Sequence, residues 1–241
     1  MSAGDNQNPR TRPGSIKTPW ICLCSPEYRP LLDRHFLPSF AACGMDADFD
    51  LRVLPLPDRY PNWEENGWQV ARNRALRAAH AVVRCHGCHG GTHAVVSGAD
   101  FRFYQNPRPF LFQDEAASGI MFSMDRDDTY CTDFMAAHLS PSVFDFLDTW
   151  LTISESGGFI HDQAALNWLA HQPGMPVWAA GAEFWTAGLS PELKECPWDI
   201  GDPVPEPPAD IVLQHLNFSI GVANKLALGD AVQAIMEART K

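Results

Sequence analysis

The sequence predicts an α/β fold in which strands and helices alternate. Two observations predict it. Short apolar runs that end at turn residues alternate with longer segments of helical periodicity through the first hundred residues. Apolar residues make up 45% of the 241-residue chain, which is enough to bury a sizeable core. In a fold of this class ligands bind at the carboxyl ends of the strands, so functional residues are expected there.

The first half of the chain supplies the clearest alternation. The apolar run over 20–24 is closed by Ser25 and Pro26, as is typical of a buried strand. Apolar residues at helical spacing then predict a helix over 27–43, which Gly44 ends and Pro38 kinks. The elements predicted next are a strand over 49–56, a helix over 68–83, a strand over 93–97 and an extended segment over 101–104.

The second half mixes short elements in an order that periodicity alone does not resolve. The predicted elements are strands over 110–112, 120–124 and 211–216 and helices over 143–151, 162–171 and 222–239. Five prolines between 197 and 208 predict an irregular loop there. The polar segment 1–18 is predicted to be a disordered tail, which leaves 19–241 as the folded domain.

Charge and cysteine content restrict the possible partners and the compartment. The chain carries 18 Lys and Arg against 29 Asp and Glu, a net charge of -11. This balance makes nucleic acid an unlikely partner, since phosphate backbones favour basic surfaces. We expect no membrane span and no secretory signal, because the apolar runs are short and the N-terminus is polar. Seven unevenly spaced cysteines are typical of a cytoplasmic protein with free thiols.

Three segments place polar side chains where strands end or helices begin. Asp100 directly follows an apolar strand, where a carboxylate can bind a divalent cation, although it can equally cap the next turn. Asp162, with Gln163 and Asn167, opens a helix, for which a simple N-cap is the alternative. His215 and Asn217 share one face of a late strand, with Lys225 beyond it, although a lone histidine is more often a core residue.

In this order the three segments resemble the GT-A fold nucleotide-diphospho-sugar transferases. The resemblance is to retaining glycosyltransferases of the galactosyltransferase and glycogenin group, and it spans roughly residues 19–230. It implies a single domain with a Rossmann-like mixed central sheet flanked by helices. It also implies a hexosyltransferase-like enzyme that moves a sugar from a nucleotide-diphosphate donor to an acceptor hydroxyl, with metal assistance and retention.

The resemblance assigns roles to individual positions. The family's metal-binding Asp-any-Asp motif falls on Gly98 and Asp100, so the first carboxylate is missing, and its late histidine ligand falls on His215. Asp162 and Gln163 match the family's Asp-Gln at the sugar, which makes them the predicted catalytic pair. The predicted donor-binding residues are Ser25 and Tyr28 at the nucleoside, Arg74, Lys225 at the phosphates, and Ser97, Gly98, Asp100, Asn167 and Asn217 within these segments.

The implied cofactor is Mn²⁺ or Mg²⁺, the donor is a nucleotide sugar, and the acceptor is a glycan, a lipid-linked molecule or a small molecule. Two alternatives remain. Gly98, together with Ala117 in place of a family Asn, also fits an inactive GT-A-like binding or scaffold protein. Cys85, Cys88, His89 and His93 form an unusual Cys/His segment that would suit a zinc-binding protein, although no second ligand pair follows it.

Overall fold

The computed structural model describes residues 16–57, 67–112, 119–126, 128–190 and 197–240. Most of the predicted tail, Ala117 and Ser118 lie outside these residues. Thr18 already belongs to the first strand, two residues earlier than the sequence predicts.

A six-stranded mixed sheet forms the centre of the molecule. Its strands are β1 (Thr18–Cys24), β2 (Phe49–Pro55), β3 (His93–Gly98), β5 (Ile120–Arg126), β6 (Thr129–His138) and β7 (Val177–Ala179), in the order β2-β1-β3-β6-β5-β7. The first three strands are parallel, and β6 runs antiparallel to both of its neighbours. A second sheet joins β4 (Phe101–Phe103), β9 (Leu213–His215) and β8 (Phe184–Thr186).

Helices cover both faces of the central sheet. They are α1, whose consecutive turns are Arg29–Leu31, the π-helical Leu32–Phe36 and Leu37–Ala42, then α2 (Gly67–Cys88), α3 (Arg108–Leu111), α4 (Pro141–Glu155), α5 (Asp162–Ala170) and α6 (Gly221–Arg239). The π-turn ends at Phe36, two residues before Pro38, whose missing backbone N–H interrupts the regular α-helical hydrogen bonding. Within the described residues, no helix combines the length and hydrophobicity needed to cross a bilayer.

Strand β1 shows how period-two alternation builds two cores. Ile21 and Leu23 point to the face covered by α2, α4 and α5, whereas Trp20 and Cys22 point to the face covered by α1 and the small sheet. The Trp20 indole packs edge-to-face against several phenylalanine rings and donates to Ser97 Oγ at 2.9 Å. Cys22 and Cys24 are buried packing residues, in agreement with their spacing on one strand face.

Residues 110–112 and the strands β6, β7 and β8 differ from the sequence prediction, which contained neither β7 nor β8. Residues 110–112 were predicted as a strand, but Pro107 and Pro109 instead start the helical turn α3, because proline fixes the backbone angle of a first helical turn. Strand β6 was not predicted, and it lies near the middle of the sheet between β3 and β5. Its first half is polar, so the apolar signal of a buried strand is absent there.

His80 makes the stability of the fold sensitive to acid. Its ring is buried on α2 against Trp150, with neither ring nitrogen hydrogen-bonded among the described residues. Burial lowers the pKa of His80 to about 4, and the charges of Asp148, Arg77 and Arg84 add smaller effects. In the unfolded chain His80 is protonated below about pH 6.5, whereas in the folded protein it stays neutral down to about pH 4. The contribution of neutral His80 to the free energy of unfolding is therefore fully present above about pH 6.5 and falls as the pH is lowered toward 4.

Acidification should lower the free energy of unfolding of the wild type by up to about 3 kcal/mol through His80, and we expect His80→Leu to abolish this loss. Chemical denaturation between pH 7.5 and 4.5 measures it. The same substitution at His89, which is exposed at the end of the same helix, is the control and should leave the pH dependence unchanged. Equal acid sensitivity of His80→Leu and the wild type would show that His80 is not the sensor.

Candidate active site

A pocket of about 210 Å³ opens at the edge of the sheet where the parallel strands end. Six predicted site residues line it: Ser25, Tyr28, Gly98, Asp100, Asp162 and Gln163. Its other walls come from Leu23, Leu56, Trp68, Gln69, Arg72, Ala99, Thr132, Asp133 and His161. Strands β1 and β3 deliver their carboxyl ends here, and antiparallel β6 delivers its first half to the same edge.

A buried ion pair joins the end of β3 to helix α6. Lys225 Nζ donates to Asp100 Oδ2 at 2.7 Å and to the Leu216 carbonyl at 2.9 Å, and both side chains are almost fully buried. Burial alone would raise the pKa of Asp100, but the ammonium group of Lys225, with a further contribution from the neighbouring His215 ring, holds this pKa well below its usual range. Burial alone would lower the pKa of Lys225, but Asp100 raises it. Both groups are therefore charged at neutral pH.

His215 points one ring nitrogen at two carboxylates. Its Nε2 lies 3.5 Å from Asp100 Oδ1 and 3.8 Å from Asp133 Oδ2, and it has no hydrogen-bond partner among the described residues. The ring stacks on Phe101 with centroids 4.3 Å apart, and its Nδ1 faces Cys131 Sγ at 3.8 Å. A buried imidazole nitrogen without a partner is costly, so this arrangement has the character of an incomplete ligand set.

A second buried charge cluster centres on Arg72 of helix α2. Its guanidinium donates to Asp162 Oδ2 at 2.8 Å, to Asp133 Oδ1 at 2.6 Å and to Thr132 Oγ1 at 3.0 Å. Burial opposes the charge of Arg72, but the two carboxylates raise its pKa. Burial likewise opposes the charge of Asp162, but Arg72 lowers its pKa. The cluster fixes Asp162 at the start of α5 as an ionised hydrogen-bond acceptor facing the pocket.

Gln163 belongs to a polar chain that links three elements. Its Nε2 donates to Asp125 Oδ2 on β5 at 3.2 Å. Asn217 donates to the other oxygen of Asp125 and accepts from Thr186. Phe218, the next residue, has a left-handed backbone with φ of 62°, which costs a side-chain-bearing residue about 1–3 kcal/mol. This strained turn carries the chain from His215 back toward Lys225.

Comparison with solved structures finds glycosyltransferases over most of the chain. One, involved in the glycosylation of the major capsid of PBCV-1, matches with a TM-score of 0.52 at 9% identity, over 89% of this chain and 98% of that chain. The galactosyltransferase LgtC, in complex with donor and acceptor sugar analogues, has a TM-score of 0.52 at 12% identity, over 89% of this chain and 96% of LgtC. An active-site mutant of LgtC has a TM-score of 0.52 at 11% identity, over 85% and 88%. No family model and no curated protein matches the sequence.

The chain has a GT-A-like fold. The predicted mixed central sheet flanked by helices is therefore confirmed. Within this GT-A-like fold, the three segments that the sequence singled out meet at one sheet edge, since Asp100, Asp162 and Gln163 line the pocket and His215 and Lys225 contact Asp100. Cys131, Asp133 and His215 are the one group of three described residues whose ligand atoms lie within 4.8 Å of one another, as a shared metal ion requires.

Five of the predicted donor-binding residues do not line this pocket, and one of them, Lys225, is connected to it only through its ion pair with Asp100. Arg74 is exposed, and its place is taken by Arg72, because two residues along a helix turn the side chain to the other side. Ser97 is buried and hydrogen-bonded to Trp20. Asn167 pairs with the backbone of Tyr130 at 2.7 and 2.9 Å and so attaches α5 to β6. Asn217 reaches the site only through Asp125 and Gln163.

The Cys/His segment does not assemble a metal site among the described residues. Cys85 and Cys88 lie on the last turns of α2, which extends five residues beyond its predicted end, and both are exposed. His89 Nδ1 contacts the Cys85 carbonyl at 2.7 Å, and His93 packs between Phe112 and His138. The geometry therefore gives the zinc alternative no support.

Sequence reasoning missed three polar residues of the site: Arg72, Asp125 and Asp133. Asp133 lies on the unpredicted strand β6, and Asp125 lies at the end of β5. The apolar periodicity of α2 contained a usable signal, because Arg72 follows Trp68 by four residues and thus shares its helix face. For Asp133 the sequence contained no usable signal, because the first half of its strand lacks the apolar run of a buried strand.

Proposed function

We propose that this protein is a glycosyltransferase that moves a sugar from a nucleotide-diphosphate donor to an acceptor hydroxyl. One observation carries the proposal. In a GT-A-like fold, Asp100 lines one pocket at the sheet edge together with Asp162 and Gln163, while the buried Lys225 and His215 contact Asp100 from behind the pocket wall. The acceptor is a glycan, a lipid-linked molecule or a small molecule.

The pocket residues suggest how such a donor would bind. Ser25 and Tyr28 follow β1, and together with Leu23, Leu56 and Trp68 they offer a partly apolar surface suited to a nucleoside. Arg72 in the pocket wall and Lys225 behind Asp100 would contribute fixed positive charge near the diphosphate. Fixed charges in a buried site stabilise a leaving diphosphate strongly, because they need no reorganisation when the bond breaks.

Asp162 and Gln163 are the proposed sugar-binding pair. Arg72 holds Asp162 ionised and oriented, so this carboxylate is suited to accept hydrogen bonds from sugar hydroxyls. Asp125 positions the Gln163 amide, which we assign to the anomeric neighbourhood. The reacting sugar carbon gains oxocarbenium character in such transfers, and a neutral amide oxygen can stabilise it. We propose a retaining outcome, as in the enzymes that the sequence resembles.

A divalent cation fits the residues present. The buried Nε2 of His215 lacks a partner and faces the carboxylate of Asp100 at 3.5 Å, and such oxygen and imidazole ligands suit Mn²⁺. When bound, the cation would offset negative charge on the diphosphate. Asp100 and His215 would hold it, while Lys225 keeps the buried carboxylate ionised.

The described cysteines are all free thiols, which supports the predicted cytoplasmic location.

Thermal unfolding with a panel of UDP-, GDP-, CMP- and dTDP-sugars, each with and without Mn²⁺, tests the proposal. A donor present at 100 times its Kd adds about 2.7 kcal/mol to the free energy of unfolding. For a chain of this size that is a rise in Tm of roughly 5–10 °C. Asp100→Asn should abolish the part of the shift that requires Mn²⁺. Asp148→Asn, an exposed carboxylate on α4, should keep it.

Turnover separates the two readings of this pocket. An active enzyme releases nucleoside diphosphate from the donor that raises the Tm, alone or with an acceptor. Binding without any release would support the non-catalytic binding protein instead. The absence of a Tm shift with every donor, with and without Mn²⁺, would contradict donor binding and with it the proposed function.

A further inference from the structure

We infer that Asp133 supplies the metal-binding carboxylate that Gly98 lacks, so that a divalent cation is held by Asp133 and His215 together with Asp100. The replacement comes from a different strand, β6, and not from the motif at the end of β3. The inference rests on the proposed function only for the choice of Mn²⁺ as the ion.

The strand register brings Asp133 to the side of Gly98. Strands β3 and β6 pair antiparallel, with Ser97 opposite Phe134. Continuing this register by one residue sets Gly98 opposite Asp133, and side chains of directly opposite residues project from the same face of a sheet. A Cβ added at Gly98 would lie 3.7 Å from Asp133 Cβ and 3.8 Å from its Cγ. The Asp133 side chain thus lies beside the space that a residue-98 side chain would enter.

The absence of a side chain at position 98 is also what leaves this space open. The same added Cβ would lie only 2.8 Å from Asp100 Oδ1. A carboxylate on residue 98 would therefore have to displace that of Asp100, whereas one reaching across from β6 does not. In this arrangement Gly98 and Asp133 fit side by side without a steric clash, whereas aspartates at both 98 and 100 would clash.

His215 Nε2 marks where the ion would bind. It is buried, it has no hydrogen-bond partner among the described residues, and it faces Asp133 Oδ2 at 3.8 Å and Asp100 Oδ1 at 3.5 Å. Two ligands that share a cation at about 2.1 Å are separated by roughly 3–4 Å. Both distances fall within that interval, and both exceed a hydrogen bond.

The neighbours of Asp133 leave one of its oxygens for the ion. Arg72 donates to Oδ1, which orients the carboxylate and directs Oδ2 toward His215. The Asp133 side chain is 32% exposed, against 4% for Asp100 and 2% for His215. An ion can therefore enter from the pocket past Asp133. Phe101 stacking and the Cys131 contact at Nδ1 hold the His215 ring in this orientation.

Mn²⁺ binding without any donor tests the inference. Isothermal titration calorimetry, checked by the electron paramagnetic resonance signal of free Mn²⁺, gives the affinity of the wild type and of Asp133→Asn. We expect Asp133→Asn to weaken binding at least about 10-fold, since even outer partners of metal ligands are worth that much. Asp162→Asn is the matched control, because Asp162 also pairs with Arg72 but does not face His215. It should leave Mn²⁺ affinity within about twofold of the wild type.

A rescue variant keeps the test decisive if Asp133→Asn folds poorly. Asp133→Glu keeps a carboxylate on β6 that can still reach toward His215. It should recover most of the lost affinity. In the wild type, ¹³C NMR with Mg²⁺ should shift the side-chain carboxyl signal of Asp133 and leave that of Asp162 unmoved.

Several results would overturn the inference. The inference is wrong if Asp133→Asn binds Mn²⁺ as tightly as the wild type, or if Asp162→Asn loses as much affinity as Asp133→Asn does. An unmoved Asp133 carboxyl signal on Mg²⁺ addition would exclude it equally. None of these readouts involves a nucleotide sugar, so they fail or succeed separately from the donor panel that tests the proposed function.

Discussion

Replacing Arg72 with methionine is expected to lower the free energy of unfolding by about 3–5 kcal/mol. The guanidinium is buried and is hydrogen-bonded to Asp162 and Asp133, from two different elements of the pocket wall. Without it the buried carboxylate of Asp162 keeps its charge but loses its counterion, and leaving one charge of a buried pair uncompensated is far costlier than removing both. Thermal or urea unfolding at pH 7 measures the loss.

Arg74→Met is the matched control for this prediction. It makes the same change two residues along the same helix, at an exposed position, and should alter the free energy of unfolding by less than about 0.5 kcal/mol. The pair also decides which arginine serves the pocket, since only Arg72→Met should abolish a donor-dependent rise in Tm. If the two variants were equally stable, the Arg72 cluster would not be the buried ion network described above.

Lys225→Met should have the second large effect, on both stability and activity. Its ammonium is the closest counterion of Asp100, at 2.7 Å, and lies in an almost solvent-free environment. The variant should lose about 3–5 kcal/mol of stability, because the Asp100 carboxylate stays buried without that counterion. If the proposed function is correct, kcat should also fall about 10²–10³-fold, as when one preorganised charge is removed from an active site.

A double-mutant cycle separates the ion pair from general packing. Asp100→Asn combined with Lys225→Met removes both charges, and it should be more stable than Lys225→Met alone. Lys17→Met, an exposed lysine near the first strand, is the control and should be nearly neutral. Additive losses in the cycle would show that Asp100 and Lys225 do not stabilise each other.

The sequence predicted those parts of the fold whose signal lies within one strand or helix or within two neighbouring ones. The strand at the start of the domain, with its Ser25-Pro26 end, is a local signal, and so is the helix whose stripe runs from Val143 to Leu151. The sequence also indicated a set of candidate site residues near strand ends and in the first turns of helices, in an order that resembles a known fold. They are Asp100, Asp162, Gln163, His215 and Lys225. These local patterns do not specify which strands pair, because strand order and register are set by contacts between residues distant in sequence.

Strand β6 shows why the remainder could not be predicted. It is ten residues long and nearly central, but its first half reads Thr-Tyr-Cys-Thr-Asp, which lacks the apolar run of a buried strand. These polar residues are tolerated because they end at the pocket, where Arg72 and His215 face the Asp133 carboxylate. Arg72 was missed for the same reason, because a charged residue is normally expected at the surface. It is buried here only because two carboxylates from other elements surround it.

The sequence by itself determined the α/β class and most strands and helices, since these follow from local periodicity, and its resemblance to the GT-A transferases indicated which residues to expect at the site. Only the tertiary structure decided which of those residues meet. It replaced Arg74 with Arg72, moved Asn167 to a backbone contact between α5 and β6, and set Asp133 opposite Gly98. The physical reason is that a site is made by the convergence of segments distant in sequence, and convergence depends on strand pairing and burial.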